Sequence, residues 1–145
     1  MQENTEILDL DAQFSELLSK RSGEFEVNVT YNELKYIKNT LAQKIEWTGS
    51  NEAYLLVLTL VALDSRLEEL NPKLQEKVKI SLPSVALETI NYFFSKISGK
   101  GVDAAQKLFA AAMQIRPAIE EMKKLDSDIQ RLKSEIDASK ISKND

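Results

Sequence analysis

The sequence predicts an all-α protein, a multi-helix bundle of five or six helices whose long C-terminal helix is kinked at a proline. Three observations favour this class. The 145 residues include only 4 Gly and 3 Pro, whereas a β-sandwich or barrel needs many tight turns. Apolar residues recur at spacings of three and four along most of the chain. A chain of this length buries about two-thirds of its unfolded surface, which is enough for a hydrophobic core without disulfides.

The N-terminal residues predict a helix followed by a short strand. In residues 5–21, the apolar side chains fall at spacings of three and four, and Ser22-Gly23 ends this pattern. Residues 24–30 then alternate polar and apolar side chains, which is the period of a β-strand. Since a lone strand leaves its backbone groups unpaired, this segment needs a partner.

Two further helices follow the strand. Thr30 and Glu33 have the spacing of a capping box, which predicts a helix start, and this helix ends near Gly49. The next helix runs from about Ser50 to Leu70. Because its first half is apolar nearly all round, we expect it at the centre of the bundle.

Residues 71–82 have two competing interpretations. Residues 77–82 alternate polar and apolar side chains before Pro83, so they can pair with residues 24–30 as a two-stranded ribbon. Alternatively, Asn71 and Pro72 provide an N-cap and a first-position proline for a short helix that reaches Val78. The sequence leaves both interpretations open.

The C-terminal half predicts two helices separated by a flexible joint. One helix begins at Pro83-Ser84 and ends at Ser98–Gly101, where two glycines permit positive φ angles. A long helix then runs from Val102 to about Ala138, with a kink or a break at Pro117. We therefore expect a helical bundle in residues 1–100, and in residues 101–145 a long helix with a frayed tail that projects or forms a coiled coil.

The C-terminal helix carries a narrow, heptad-like apolar face surrounded by charged residues. This pattern is typical of a helix packed on its own bundle, and equally of a helix that pairs with another chain. A membrane-surface helix fits less well because the polar face is not predominantly basic. If the face binds a partner or another copy, we expect the interface to contain Ile115, Ile119, Met122, Leu125, Ile129, Leu132 and Ile136.

The absent residue types exclude most catalytic chemistry. With no Cys and no His, the chain has no disulfide, thiolate nucleophile, imidazole base or imidazole metal ligand. A site made of carboxylates alone could still hold Mg²⁺ or Ca²⁺, yet the acidic residues lack the helical spacing of a metal-binding bundle. We therefore predict no enzyme activity, no cofactor and no metal.

A lysine-rich segment provides an alternative function. Residues 72–100 contain five Lys and two Glu, together with three aromatic residues, whereas residues 1–33 are strongly acidic. Basic residues beside aromatic ones are typical of nucleic-acid binding, although aromatic residues of this kind more often form core. The alternative is an oligomeric packaging or regulatory factor that contacts nucleic acid through Lys73, Lys77, Lys79, Lys96 and Lys100.

The favoured prediction is a non-enzymatic interaction, assembly or adaptor protein that acts through helix–helix contacts, as a homo-oligomer or with a protein partner. Residues 1–18 lack the basic and apolar regions of a signal peptide, and the longest apolar run spans 53–63, well short of a bilayer. We therefore expect a soluble, cytoplasmic protein without membrane contact. The composition is typical of a bacterial or phage accessory protein.

Overall fold

The computed structural model describes residues 2–143 and the side chains of residues 8–141. It is 74% helical, so the fold is mostly α with a minor β component, as the sequence predicted. The bundle arrangement of the helices stays a prediction. The described residues form five helices and two strands: α1 (Gln2–Arg21), β1 (Glu24–Val29), α2 (Tyr31–Gln43), α3 (Gly49–Glu69), β2 (Val78–Pro83), α4 (Ser84–Phe94) and α5 (Val102–Lys143).

The two strands pair as an antiparallel ribbon, in which Glu24 lies opposite Pro83 and Val29 opposite Val78. The ribbon interpretation of residues 71–82 is therefore confirmed, and the competing helix from Asn71 is wrong. Pairing gives each strand the backbone hydrogen bonds that it would otherwise lack. One face of the ribbon is buried in the core and contains Phe25, Val27, Val29, Ile80 and Leu82.

The chain divides into two compact units, residues 24–119 and residues 1–23 with 120–145. In residues 24–119, α3 contacts α2, α4 and β2. The core of this unit lies where these elements meet. Its most deeply buried side chains include Leu34, Ile37, Leu41, Leu63, Leu87, Ile90 and Phe93.

Arg66 on α3 holds both strands of the ribbon. Its Nε donates a 2.6 Å hydrogen bond to the backbone oxygen of Ser81 on β2, and a terminal nitrogen lies 3.0 Å from the Glu24 carboxylate on β1. Lys38 on α2 forms a second ion pair with α3, at 2.5 Å from Asp64. These polar contacts join α3 to the ribbon and to α2.

The second unit contains α1 and the C-terminal part of α5. Arg21, at the end of α1, donates a 2.8 Å hydrogen bond from Nε to Asp126 on α5. In α1, the side chains of Leu10, Phe14 and Leu17 are half-buried.

Helix α5 continues through Pro117, so the predicted break is absent. The kink near Pro117 stays a prediction. Among the described residues, no helix is both long and apolar enough to cross a membrane.

The capping box at the start of α2 forms as predicted. The Thr30 hydroxyl accepts a 3.1 Å hydrogen bond from the Glu33 backbone N–H, and the Glu33 carboxylate accepts a 2.8 Å bond from the Thr30 N–H. Thr48 occupies the same position before α3, where its side chain makes no capping hydrogen bond. The two threonines therefore form a matched pair for measuring the contribution of the cap.

We expect Thr30→Ala to lower the free energy of unfolding by about 1 kcal/mol, because the backbone N–H of Glu33 at the start of α2 loses its hydrogen-bonding partner. Thr48→Ala should change it by less than about 0.5 kcal/mol, since no capping bond is lost. Urea denaturation of both variants measures the difference. Equal losses in the two variants would mean that the capping box contributes nothing specific.

Candidate interaction surface

The predicted interface on the C-terminal helix is largely covered within the single chain. Six of its seven residues are buried, namely Ile115, Ile119, Met122, Ile129, Leu132 and Ile136, and Leu125 is half-buried. Ile115 and Ile119 lie in the unit formed by residues 24–119, and the other five lie in the second unit. This burial favours the interpretation that α5 packs within its own chain. Its role as an interface stays a prediction.

The five candidate nucleic-acid lysines are distributed over several elements. Lys73 lies in the turn before β2, Lys77 and Lys79 lie at β2, and Lys96 and Lys100 follow α4. Lys77 lies 3.7 Å from the Glu33 carboxylate, so part of its charge is neutralised. Lys77 and Lys79 line one groove and Lys96 lines another. The five lysines therefore form no continuous basic surface of the kind that binds nucleic acid. Nucleic-acid binding stays a prediction.

The groove that contains Lys77 and Lys79 has a volume of about 630 Å³ and both polar and apolar walls. Phe109 and Met113 on α5 form part of its apolar wall. On the polar side, the Gln114 amide nitrogen donates a hydrogen bond to Glu33, while its amide oxygen is buried without a hydrogen-bond partner among the described residues. Glu26 and Glu33 offset the two lysines, so the groove carries no clear preference for an anion.

The Lys96 ammonium group contacts the aromatic side chain of Tyr92. Its Nζ lies 4.1 Å from the centre of the Tyr92 ring and donates a hydrogen bond to the Tyr92 hydroxyl. This hydrogen bond raises the pKa of Lys96, outweighing a smaller lowering by desolvation, and the nearby Glu52 carboxylate also raises it. The Tyr92 hydroxyl lies 3.3 Å from Glu52, so the three side chains form a local network between α3 and the end of α4.

An apolar face on α3 points away from the core. Tyr54 is 64% exposed, Val57 59%, Leu58 40% and Val61 61%. Their spacing of three, one and three residues places them on one side of the helix. We call these four residues the outer face of α3.

The opposite side of the same helix forms part of the core. Leu56, Thr59, Leu63 and Leu67 are buried there, and the Thr59 hydroxyl donates a 2.7 Å hydrogen bond to the backbone oxygen of Leu55. The expectation that the first half of α3 lies at the centre of a bundle is therefore wrong for its outer face. In this structure only one side of the helix is packed, although both sides are apolar.

The sequence shows that α3 is apolar nearly all round but does not identify its outer face as a candidate surface. An all-round apolar helix is typical of a helix buried on every side, and the sequence alone does not reveal how many neighbours it has. The signal in the sequence that could have identified the outer face is the presence of apolar residues on two sides of the same helix.

The described residues contain no group of three or more acidic side chains that could hold a metal ion. Comparison with protein families, curated proteins and solved structures gives no match for this chain.

The two sides of α3 should respond differently to truncation. We expect Leu63→Ala to lower the free energy of unfolding by about 2–5 kcal/mol, because it opens a cavity at a fully buried position. Leu58→Ala should cost about 1 kcal/mol or less, since 40% of this side chain is already exposed. Chemical denaturation in dilute solution measures both values. A larger loss for Leu58→Ala than for Leu63→Ala would show that the outer face is part of the core.

Proposed function

We propose that this protein is a non-enzymatic interaction or assembly protein that acts through helix–helix contacts, with self-association as its simplest form. The observation that carries this proposal is the exposure of Tyr54, Val57, Leu58 and Val61 on one side of α3. Apolar side chains at this spacing are what a helix presents to another helix or to a groove. Contiguous apolar surface on a folded chain is typical of a contact site.

The outer face is well suited to binding because it lies on a helix that the core already holds in place. It lies in the middle of a helix of 21 residues whose other side is anchored in the core, so its side chains are held in a fixed arrangement. Binding to such a surface requires little ordering of the backbone, which lowers the entropic cost of association. Tyr54 adds an aromatic residue of the type that contributes strongly to interfaces.

The residue types of the chain support a role in binding more than a role in catalysis. There is no Cys or His to act as a nucleophile or as a base near neutral pH.

We expect light scattering to give the wild-type protein a solution mass greater than the mass of a single chain. This mass should increase with protein concentration. Val61→Lys should reduce it to that of the monomer, because a charged side chain within an apolar contact would be desolvated without a partner. The matched control is Val102→Lys, which introduces the same charge at a position of similar exposure, 69%, at the start of α5. This control should retain the wild-type mass.

Circular dichroism on each variant confirms that the helices are intact before the masses are compared. A monomeric wild-type chain at every concentration would overturn self-association. Equal masses for wild type and Val61→Lys in a chain that does oligomerise would show that another surface makes the contact.

A further inference from the structure

Along the outer face of α3, apolar and polar side chains follow one another in the same order from the N-terminal end as from the C-terminal end. Its four apolar residues lie symmetrically about the midpoint between Val57 and Leu58, with Tyr54 on one side and Val61 on the other. One turn further out in each direction, the same side of the helix carries an exposed serine, Ser50 before the midpoint and Ser65 after it. A surface with this arrangement can face an inverted copy of itself with every position matched.

Side-chain size favours an inverted copy over a parallel one. In an antiparallel pair centred on this midpoint, Tyr54 of each copy lies opposite Val61 of the other, and Val57 lies opposite Leu58. Large side chains then meet smaller ones, which allows the surfaces to interdigitate. In a parallel pair the two Tyr54 side chains would meet each other, and the two Val61 side chains would leave space between them.

Charge favours the same orientation. No charged residue lies on the outer face between Ser50 and Ser65, while Glu68 and Glu69 are exposed just beyond Ser65. An antiparallel pair places these carboxylates near the N-terminus of the other copy's α3, where the helix dipole attracts negative charge and one exposed carboxylate, that of Glu46, repels it. A parallel pair places them against the same two carboxylates of the other copy, where like charges repel.

The size of the outer face indicates a weak dimer. From Ser50 to Ser65 the helix rises by about 22 Å. A single helix face of this length buries less than the roughly 800 Å² per partner that is typical of stable complexes. Trp47, which is 56% exposed just before α3, would extend the contact at both ends.

We propose that the partner of the outer face is a second copy of this chain, bound by antiparallel α3–α3 pairing about a two-fold axis between Val57 and Leu58. This inference rests on the proposed function and adds to it the identity, direction and register of the partner. The dimer is reversible, so its population depends on protein concentration. Isologous two-fold pairing of this kind is the commonest form of homo-oligomer.

The absence of cysteine from the sequence makes disulfide mapping a clean test, because each variant carries a single introduced thiol. The four variants are Tyr54→Cys, Val57→Cys, Leu58→Cys and Val61→Cys, each oxidised under mild conditions at a concentration where the wild type associates. Disulfide formation requires Cα atoms within about 7 Å of each other. Non-reducing electrophoresis then reports which positions are close in the assembly.

Antiparallel pairing predicts a specific pattern. Val57→Cys and Leu58→Cys should each form covalent dimers because they lie beside the two-fold axis. Tyr54→Cys and Val61→Cys should not do so alone, since equal positions are about 10 Å apart along the helices. An equimolar mixture of those two variants should form the covalent heterodimer. Adding Val61→Lys to the Leu58→Cys chain should suppress its dimer, which controls for random collision.

The remaining outcomes separate the two proposals. Efficient dimers from all four single variants would establish parallel pairing and overturn the antiparallel geometry, while self-association would stand. No covalent dimer at any of the four positions in a chain that light scattering shows to be oligomeric would place the contact elsewhere and overturn this inference. A chain that is monomeric by light scattering and forms no covalent dimer would overturn both proposals.

Discussion

The unit formed by residues 24–119 depends on the pairing of β1 with β2. The two strands are separated in the chain by α2 and α3, so their pairing closes a long loop around both helices. Such closure costs entropy, and the five apolar side chains that the ribbon buries against the helices help to offset it. Arg66 strengthens the link because it contacts Glu24 on one strand and Ser81 on the other. The position of α3, and therefore of its outer face, follows from this closure.

Local features of the fold could be predicted from sequence because short-range chemistry determines them. The capping box at Thr30 and Glu33 marks the start of α2, and the alternation of residues 24–30 identifies β1 to within one residue. The second strand was one of two open interpretations, since residues 71–78 satisfy the local rules for a helix start, whereas residues 77–82 alternate as a strand does. What decided between them is the need of β1 for a partner, which is a long-range requirement that local patterns do not contain.

The candidate surface was harder to predict because exposure depends on the number of neighbours. Ile129, Leu132 and Ile136 have the narrow apolar face of an interface helix, yet they are buried within one chain. Val57 and Val61 lie in a segment that looks like central core, yet they are exposed. In both cases the residue types were identified correctly as apolar and helical. The sequence lacks the information about which elements cover which face, and this information comes only from the tertiary arrangement.

The two apolar sides of α3 also affect how faithfully the chain folds. A helix with one apolar side has a single rotation about its axis that buries it, whereas α3 carries apolar side chains on two sides, so that a second rotation would also bury apolar surface. Specific contacts distinguish the two rotations: Arg66 reaches the ribbon, Asp64 reaches Lys38, and the Thr59 side chain is buried in the core. These polar contacts therefore add to hydrophobic burial a preference for one of the two apolar sides.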